Sequence, residues 1–206
     1  MTIGIVDVGI GNIGSLRQAL FGVGWDPILV SKPEDFSEIT HLLLPGVGAF
    51  AAAMGKFSQT GLVETIRAFA DSGRPIMGIC LGMQLLATVG TEGGDAEGLG
   101  LVPGRVLAIG AKRGLRIPHV GWNEAHQMRP HPVLKGIRDD VDFYFVHSYR
   151  FLTDEAEHIL AKTEYGDRFA SIIGRDNVVG VQFHPEKSQS NGLRILDNFC
   201  LWNGRC

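Results

Sequence analysis

The sequence has few cysteines, little net charge and no long hydrophobic run. Its 206 residues include three cysteines, Cys80, Cys200 and Cys206, and 19 basic against 22 acidic residues, a formal net charge of −3. Three scattered cysteines are too few for a disulfide framework or a zinc site. The small negative charge gives no indication of binding to nucleic acid or to an anionic membrane. No apolar run approaches the roughly 20 residues that span a bilayer.

The amino-terminal segment also has no signal-peptide pattern, because it has no basic start and is typical of a strand. Together with the low cysteine content, this predicts a cytoplasmic location. A hydrophobic fraction of 45% and a charged fraction of 20% are ordinary for a globular protein. We find neither a linker composition nor an internal repeat, so residues 1–206 are predicted to form a single domain.

The first half of the chain alternates apolar runs with helical periodicity, which is typical of an α/β fold with a largely parallel central sheet flanked by helices. After a polar, exposed loop at 91–98, short strands follow one another without helices, which indicates an antiparallel or mixed extension of that sheet. The predicted strands span 3–8, 28–30, 41–45, 76–79, 105–109, 143–146, 159–161, 169–173 and 178–182. Predicted helices begin at 13 and span 62–71, 83–87 and 191–202.

The segment 75–84 (PIMGICLGMQ) combines a buried strand, a glycine-flanked cysteine and the start of a helix. Gly78 and Gly82 stand two residues before and two residues after Cys80, as a sharp strand-to-helix turn requires. This nucleophile elbow would present the Cys80 sulfur at the end of the sheet, where the first amides of the helix stabilise negative charge. The alternative is a buried structural cysteine, and this stretch alone divides the two interpretations evenly.

The segment 9–14 (GIGNIG) follows the first predicted strand and precedes a helix, as in the dinucleotide-binding fingerprint. That fingerprint also requires an acidic residue at the end of the second strand. Here the second strand ends in Ser31 and Lys32, and Glu34 and Asp35 arrive late. A nucleotide site therefore competes with a turn that packs the first helix against the sheet, and the incomplete match favours the turn.

The strand 41–45 leads into a glycine-rich turn at 45–48 (PGVG). Two glycines at the end of a strand allow backbone amides to approach a ligand closely. These amides would supply one donor of an oxyanion hole, the other being the Leu81 amide. Taken alone, the segment favours an ordinary turn.

The strand 178–182 leads into His184-Pro185-Glu186. If the extended backbone continues, His184 and Glu186 point to the same side, and Pro185 makes that geometry stiff. A carboxylate beside an imidazole holds one tautomer and stabilises the imidazolium. A surface His–Glu pair is the alternative, but together with the elbow these residues complete a nucleophile, a base and an orienting acid.

Two other histidines, His119 and His147, lie on stretches that are predicted to be structured. The segment 147–149 ends a strand, so that its backbone and side chains are candidates for lining a pocket. A hydrogen-bonded structural role is the default for each histidine. No spacing of cysteine, histidine and carboxylate residues fits a metal site.

These segments together resemble the class I (triad) glutamine amidotransferases, and more narrowly the glutaminase subunits of imidazole glycerol phosphate synthase in histidine biosynthesis. The resemblance covers nearly the whole chain, and no triad position departs from it. Val8 stands where the family more often has tyrosine. The segments that carry the resemblance are 9–12 (GIGN), 45–50 (PGVGAF), 78–84 (GICLGMQ), 118–123 (PHVGWN), 143–149 (FYFVHSY) and 180–188 (GVQFHPEKS).

The resemblance implies a cofactor-free hydrolysis of glutamine to glutamate and ammonia through a glutamyl thioester. Cys80 would attack the side-chain amide, His184 would carry the proton to the departing ammonia, and Glu186 would orient His184. The oxyanion hole would be formed by the backbone of Leu81, Val47 and Gly48, with a peptide flip in the loop that holds the last two. Glutamine would be held by Gly48, Gln84, Ser148 and Tyr149.

The resemblance also implies a heterodimer with a (β/α)8-barrel synthase subunit, which receives the ammonia without its release to bulk solvent. There the ammonia would react with a phosphoribulosyl formimino aminoimidazole carboxamide ribonucleotide, giving imidazole glycerol phosphate and aminoimidazole carboxamide ribotide. The 9–14 loop would then lie at the partner interface without a nucleotide. The positions that match this interface are Asn12, Trp122, Tyr144 and Lys187, although residue type alone favours a core position for Trp122.

Three alternatives stay open at the level of the sequence. The first is a nucleotide-dependent oxidoreductase built on the 9–14 segment. The second is a non-catalytic binding module, which the presence of all three triad residues weakens. The third is another amidotransferase that shares the chemistry and feeds a different acceptor.

Overall fold

Thirteen strands form two sheets in residues 1–111 and 114–205, the part of the chain that the computed structural model describes. Cys206, one of the three cysteines, lies outside these residues. The strands are β1 Ile3–Val6, β2 Ile28–Val30, β3 His41–Gly46, β4 Ile76–Cys80, β5 Val89–Gly90, β6 Ala96–Glu97, β7 Gly104–Ala108, β8 His119–Gln127, β9 Val141–His147, β10 Tyr149–Thr153, β11 Ile159–Tyr165, β12 Asp167–Arg175 and β13 Val178–Val181. The helices are α1 Ile13–Gly22, α2 Phe50–Gln59, α3 Leu62–Asp71, α4 Leu81–Leu85 and α5 Gln189–Leu201.

The central sheet has nine strands in the order β2-β1-β3-β4-β13-β12-β11-β8-β9. The first five are mutually parallel. The remaining strands pair antiparallel with their neighbours. The predicted mixed α/β architecture is therefore confirmed. No helix in the described ranges is long and apolar enough to cross a membrane.

The strand predicted at 105–109 does not extend the central sheet, and that prediction is wrong. It corresponds to β7, which belongs to a second sheet of four strands in the order β10-β7-β5-β6. The chain leaves the central sheet after β9 and enters the second sheet at β10, with Ser148 between them. Val106 and Phe151 are opposite each other across β7 and β10, and both are buried. Both pack into the same hydrophobic cluster as Leu42 and Leu44 of β3, so the small sheet shares its core with one face of the central sheet.

Two further elements differ from the prediction. The polar segment 91–98 is not only an exposed loop, because β6 lies within it and pairs with β5. The helix α2 was not predicted, although Phe50, Met54 and Phe57 are buried at helical spacing along it. The glycines at 46, 48 and 55 interrupted the sequence signal there, since glycine is a poor helix former.

The core lies on both faces of the central sheet. Leu42 and Leu44 of β3 pack into one hydrophobic cluster, with α2 and α3. Leu43, between them, packs into the other cluster, with α1 and α5. Successive side chains of a strand point to opposite faces, and a parallel strand covered by helices on both faces is apolar at every position.

Three parallel strands end at one edge of the sheet and deliver the candidate site. In the register of β3 and β4, Gly46 is opposite Cys80. In the register of β13 and β4, Val181 is opposite Ile79. The segments that follow β3 and β13 therefore emerge on either side of Cys80, although they lie far apart in sequence.

Candidate active site

Cys80 occupies a strained turn between β4 and α4. Its φ of 54° and ψ of −111° lie in a region of backbone conformation that residues other than glycine rarely adopt. The residue is 8% exposed, and its Sγ lies 3.8 Å from the Val146 carbonyl oxygen and 3.9 Å from Gln182 Nε2. The helix begins at Leu81, directly after the cysteine and two residues earlier than predicted. The amide of Leu81 thus belongs to the first turn of α4, where backbone donors have no partner within the helix.

His184 and Glu186 meet behind the cysteine. His184 Nδ1 lies 2.8 Å from Glu186 Oε1, and their side chains are 6% and 4% exposed. The expected extended backbone is wrong, because residues Pro185–Lys187 form a 3-10 turn. Proline favours the start of such a turn, since its fixed φ suits the first helical position. The alternative of a surface ion pair does not describe this buried pair.

The two partners of His184 determine its protonation. Burial disfavours the imidazolium, but the interaction with Cys80 and the hydrogen bond and charge of Glu186 outweigh burial and raise the pKa of His184 to about 9. Nε2, the second ring nitrogen, is buried and has no hydrogen-bond partner within the described residues. We conclude that His184 and Cys80 interact electrostatically without a formed hydrogen bond, so that Nε2 is available to a reacting group.

We expect His184 to stay charged well above neutral pH. Because its folded-state pKa of about 9 exceeds the usual 6.5, the imidazolium stabilises the fold fully below pH 6.5, and this contribution is lost as the pH rises through 9. Glu186→Gln removes one charge that raises the pKa, and should lower the His184 midpoint by about one to three pH units. A histidine NMR titration measures the midpoint in both proteins. An unchanged midpoint, or an equal shift in the exposed control Glu64→Gln, contradicts the assignment.

A cavity of about 370 Å³ opens beside Cys80. It brings together nine residues that the sequence singled out, namely Val47, Gly48, Cys80, Leu81, Gln84, His147, Ser148, Tyr149 and His184. Glu186 lies behind His184 and does not line the cavity. Gln84 is buried, and its Nε2 donates to the Tyr149 carbonyl oxygen at 3.2 Å and to Gln182 Oε1 at 3.1 Å. Gly48 has a φ of +106°, which only glycine adopts without strain.

The structure adds Glu92 to the cavity lining, which the sequence analysis assigned to an exposed loop. Burial raises the pKa of Glu92, and a hydrogen bond from the Phe50 amide partly opposes this effect. The Ala51 amide also donates to the Glu92 carbonyl oxygen at 3.1 Å. The N-terminus of α2 therefore fixes the loop. No local pattern marks Glu92, because its position depends on a helix about 40 residues earlier.

Ser188 is a second residue that the sequence analysis missed. Its buried hydroxyl donates to the His184 carbonyl oxygen at 2.7 Å and accepts a hydrogen bond from the Tyr144 amide at 2.9 Å. The His184 amide donates in turn to the Tyr144 carbonyl oxygen at 2.9 Å. These three bonds hold the turn that carries His184 against β9.

None of the four residues matched to a partner interface is among the lining residues of the cavity. Trp122 and Tyr144 are opposite each other across β8 and β9, with ring centroids 5.9 Å apart, and Lys187 Nζ lies 5.9 Å from the Tyr144 ring. Trp122 is 47% exposed, so the alternative core position is wrong. Asn12 lies apart from these three, in a narrow cleft next to His184 and Glu186.

The 9–14 segment forms a turn and the start of α1. Gly9 adopts a φ of +73°, and Lys56 Nζ lies 3.3 Å from its carbonyl oxygen. Asp35, a late acidic residue after β2, accepts hydrogen bonds from the Ser31 and Lys32 amides. The Asp35 carboxylate is therefore occupied by hydrogen bonds within its own turn. This arrangement fits the packing turn that the incomplete fingerprint favoured.

Comparison with known proteins places this geometry in a family. The model of the class-I glutamine amidotransferases matches residues 4–202. The imidazole glycerol phosphate synthase subunit HisH of Desulfitobacterium hafniense is 46% identical over 200 residues, 97% of this chain and 94% of that protein. HisH of Aquifex aeolicus is 43% identical over 196 residues, 95% of this chain and 94% of that protein.

Solved structures agree at the level of the fold. PurLQS from Thermotoga maritima has a TM-score of 0.77 and 18% identity, over 97% of both chains. A structure described as a glutamine amidotransferase has a TM-score of 0.75 and 19% identity, over 98% of both chains. The chain belongs to the class-I glutamine amidotransferases and, within them, to the family of the HisH subunits of imidazole glycerol phosphate synthase.

Proposed function

We propose that this chain hydrolyses glutamine with Cys80 as nucleophile, His184 as base and Glu186 as the residue that orients the base. The observation that carries the proposal is the convergence of three strand ends on one cavity. One end holds a strained cysteine that lines the cavity, and another holds a buried His–Glu pair in which His184 Nε2 has no hydrogen-bond partner among the described residues. A structural cysteine needs neither the strained backbone nor the ion pair.

The chemistry follows from these positions. Cys80 Sγ attacks the amide carbon of glutamine as the thiolate, whose proton is already held by His184. The carbonyl oxygen becomes an oxyanion, for which the Leu81 amide and the backbone of Val47 and Gly48 are the donors. Collapse of this intermediate breaks the carbon–nitrogen bond, and the His184 proton leaves with ammonia. Water, deprotonated by His184, then cleaves the thioester to give glutamate and the free thiol.

Glutamine is held by polar groups along the cavity. Gln84 Nε2 is already bonded within the protein, which leaves its Oε1 to accept from the substrate. Ser148 and Tyr149 offer backbone groups, and Gly48 closes the other side. Glu92 is the one carboxylate among the described lining residues, and we assign it to the α-ammonium of the substrate. Its burial strengthens such an ion pair, because the local dielectric constant is low.

The ammonia passes to a (β/α)8-barrel synthase subunit that makes imidazole glycerol phosphate and aminoimidazole carboxamide ribotide. Exposed apolar side chains near the cavity support a docking face, including Val47, Ile117, Val120 and Trp122. We assign Asn12, Trp122, Tyr144 and Lys187 to this face. A reducing, cytoplasmic location fits the use of a free thiol as nucleophile.

We expect strong glutamate release only from the assembled enzyme. The measurement compares the chain alone, the chain with the barrel synthase, and that pair with the ribonucleotide substrate or its product. Activity confined to the third sample supports partner-gated delivery and identifies the acceptor pathway. Full activity of the chain alone contradicts the gating, and folded protein without activity in all three samples contradicts the assignment of Cys80. Titration with NAD and NADP serves as the control, and saturable micromolar binding would favour the oxidoreductase instead.

A further inference from the structure

His119 and His147 form a buried pair next to the active-site cavity. They are opposite each other across β8 and β9, and His119 Nδ1 lies 3.0 Å from His147 Nε2. The rings are nearly inaccessible, at 2% and 6% exposure. The His119 ring is stacked between two aromatic rings, with centroids 3.8 Å from Tyr165 and 4.9 Å from Phe145. The proposed mechanism uses neither histidine.

The surroundings fix which nitrogen of each ring carries a hydrogen. His147 Nδ1 lies 2.7 Å from the Tyr149 carbonyl oxygen, which can only accept, so Nδ1 is the donor. Burial, the largest effect, lowers the pKa of His147 to about 4, so the ring is neutral and Nε2 is an acceptor. His119 Nδ1 must therefore donate to His147. Its Nε2 then faces the amide nitrogen of Asn123 at 3.4 Å.

The Tyr149 carbonyl group connects the His119–His147 pair to Cys80. The Tyr149 oxygen accepts from His147 Nδ1 and also from Gln84 Nε2. Gln84 Nε2 uses its second hydrogen for Gln182 Oε1, and Gln182 Nε2 lies 3.9 Å from Cys80 Sγ. The polar groups thus form one connected series of contacts from β8 to the thiol.

The carbonyl group of Tyr149 lies where the chain passes from one sheet to the other. Ser148 separates β9 of the central sheet from β10 of the small sheet. Its own carbonyl oxygen is held by the Ile109 amide at 2.9 Å. The Tyr149 carbonyl is held instead by two side chains, of which the histidine makes the shorter bond. Loss of that bond leaves only the longer Gln84 bond to orient the Tyr149 carbonyl group at one wall of the cavity.

We propose that His147 is a positioning residue that sets the backbone of Ser148 and Tyr149 for glutamine, and that His119 holds His147 in the required tautomer. The inference rests on the proposed function, because it assigns these backbone groups to the substrate. A neutral donor is required at this point, since a cation would oppose the positive charge of the nearby His184. The stacked ring of His119 supplies the matching neutral donor.

Two substitutions of His147 distinguish the effect of its hydrogen bond to the Tyr149 carbonyl oxygen from the effect of its hydrogen bond with His119. Asparagine places its amide nitrogen near the position of Nδ1 and keeps the bond to Tyr149. Glutamine places its amide oxygen near the position of Nε2 and keeps only the bond from His119. We expect His147→Gln to raise the KM for glutamine about tenfold in the assembled enzyme, with a smaller change in kcat, and His147→Asn to stay within about threefold of the wild type.

A second pair of variants tests the partner ring. His119→Phe keeps the stacking and removes the donor, whereas His119→Asn keeps a donor near Nδ1. The inference predicts a raised KM in the first variant only. In 15N histidine NMR spectra, His147 should carry its hydrogen on Nδ1 in the wild type, and this preference should weaken in His119→Phe, where only the Tyr149 carbonyl oxygen still supports it. Equal KM values within either pair, with wild-type unfolding midpoints, would overturn it.

A third readout separates failure of this inference from failure of the proposed function. Inactivation by 6-diazo-5-oxonorleucine, an electrophilic glutamine analogue, reports binding through its half-saturating concentration. Alkylation by iodoacetamide reports only the thiol. We expect His147→Gln to weaken the analogue about tenfold and to leave alkylation unchanged. Labelling of wild-type Cys80 with no difference among the variants overturns the inference alone, whereas no labelling and no turnover in the wild type overturns the proposed function and the inference with it.

Discussion

Glutamine-dependent synthesis should fall at least about a thousandfold in Cys80→Ala, while ammonia-dependent synthesis by the assembled enzyme is retained. The variant removes the atom that forms the thioester, and no other lining residue in the described part of the chain carries a thiol. Ammonia supplied from solution bypasses this step and reaches the synthase subunit directly. Product formation with glutamine and with ammonium salts, measured on the same complex, checks the prediction.

The matched control for this variant is Cys200→Ala. Cys200 is fully buried in α5, and burial raises the pKa of its thiol to about 12, so this cysteine stays protonated and unreactive. We expect the control to lose some stability and to keep both activities. If Cys80→Ala instead loses both activities equally, Cys80 is structural and the proposed nucleophile is wrong.

Gly82→Ala should prevent folding or destabilise the chain by more than about 4 kcal/mol. A Cβ atom at this position would lie 1.6 Å from the Leu44 carbonyl oxygen, which is backbone of the neighbouring strand and cannot move aside. At Gly78 it would lie 2.5 Å from the Gly82 carbonyl oxygen. The two glycines therefore let α4 lie directly on the sheet. Urea unfolding of the isolated chain measures the effect.

Gly14→Ala is the control for this substitution. No atom lies within 4 Å of a Cβ at Gly14, which is inside α1. Alanine is a better helix former, so we expect the free energy of unfolding to rise by about 0.5–1 kcal/mol. A wild-type stability for Gly82→Ala would refute the packing argument. A strong destabilisation by Gly14→Ala would show that the 9–14 glycines have a steric role after all.

Strongly periodic local patterns were sufficient for much of the fold. The helix predicted at 62–71 has those bounds in the structure, and the strand 28–30 is reproduced as well. Both have a clear apolar pattern between residues that end an element. The helix α2 and the small sheet were missed because their signals are weak locally. Strands of two or five residues gain their stability from partners elsewhere in the chain, which the local sequence does not specify.

The candidate site likewise contains some features that the local sequence predicts and others that it does not. The spacing of Gly78, Cys80 and Gly82 predicted a sharp turn, because steric exclusion within five residues is a local property. The prediction that His184 and Glu186 share a side reached the right contact from the wrong backbone. Glu92 and Ser188 have no local signal, since each is positioned by hydrogen bonds to distant elements.

The sequence by itself determined the α/β class, the elbow at Cys80 and the short-range pairing of His184 with Glu186. Each depends on the sterics or hydrophobic period of neighbouring residues. Only the tertiary structure decided that the thiol and the imidazole, more than 100 positions apart, meet in one cavity, and that His119 and His147 form a pair with a fixed tautomer. Sheet order and register set those distances, and both arise from long-range pairing of strands.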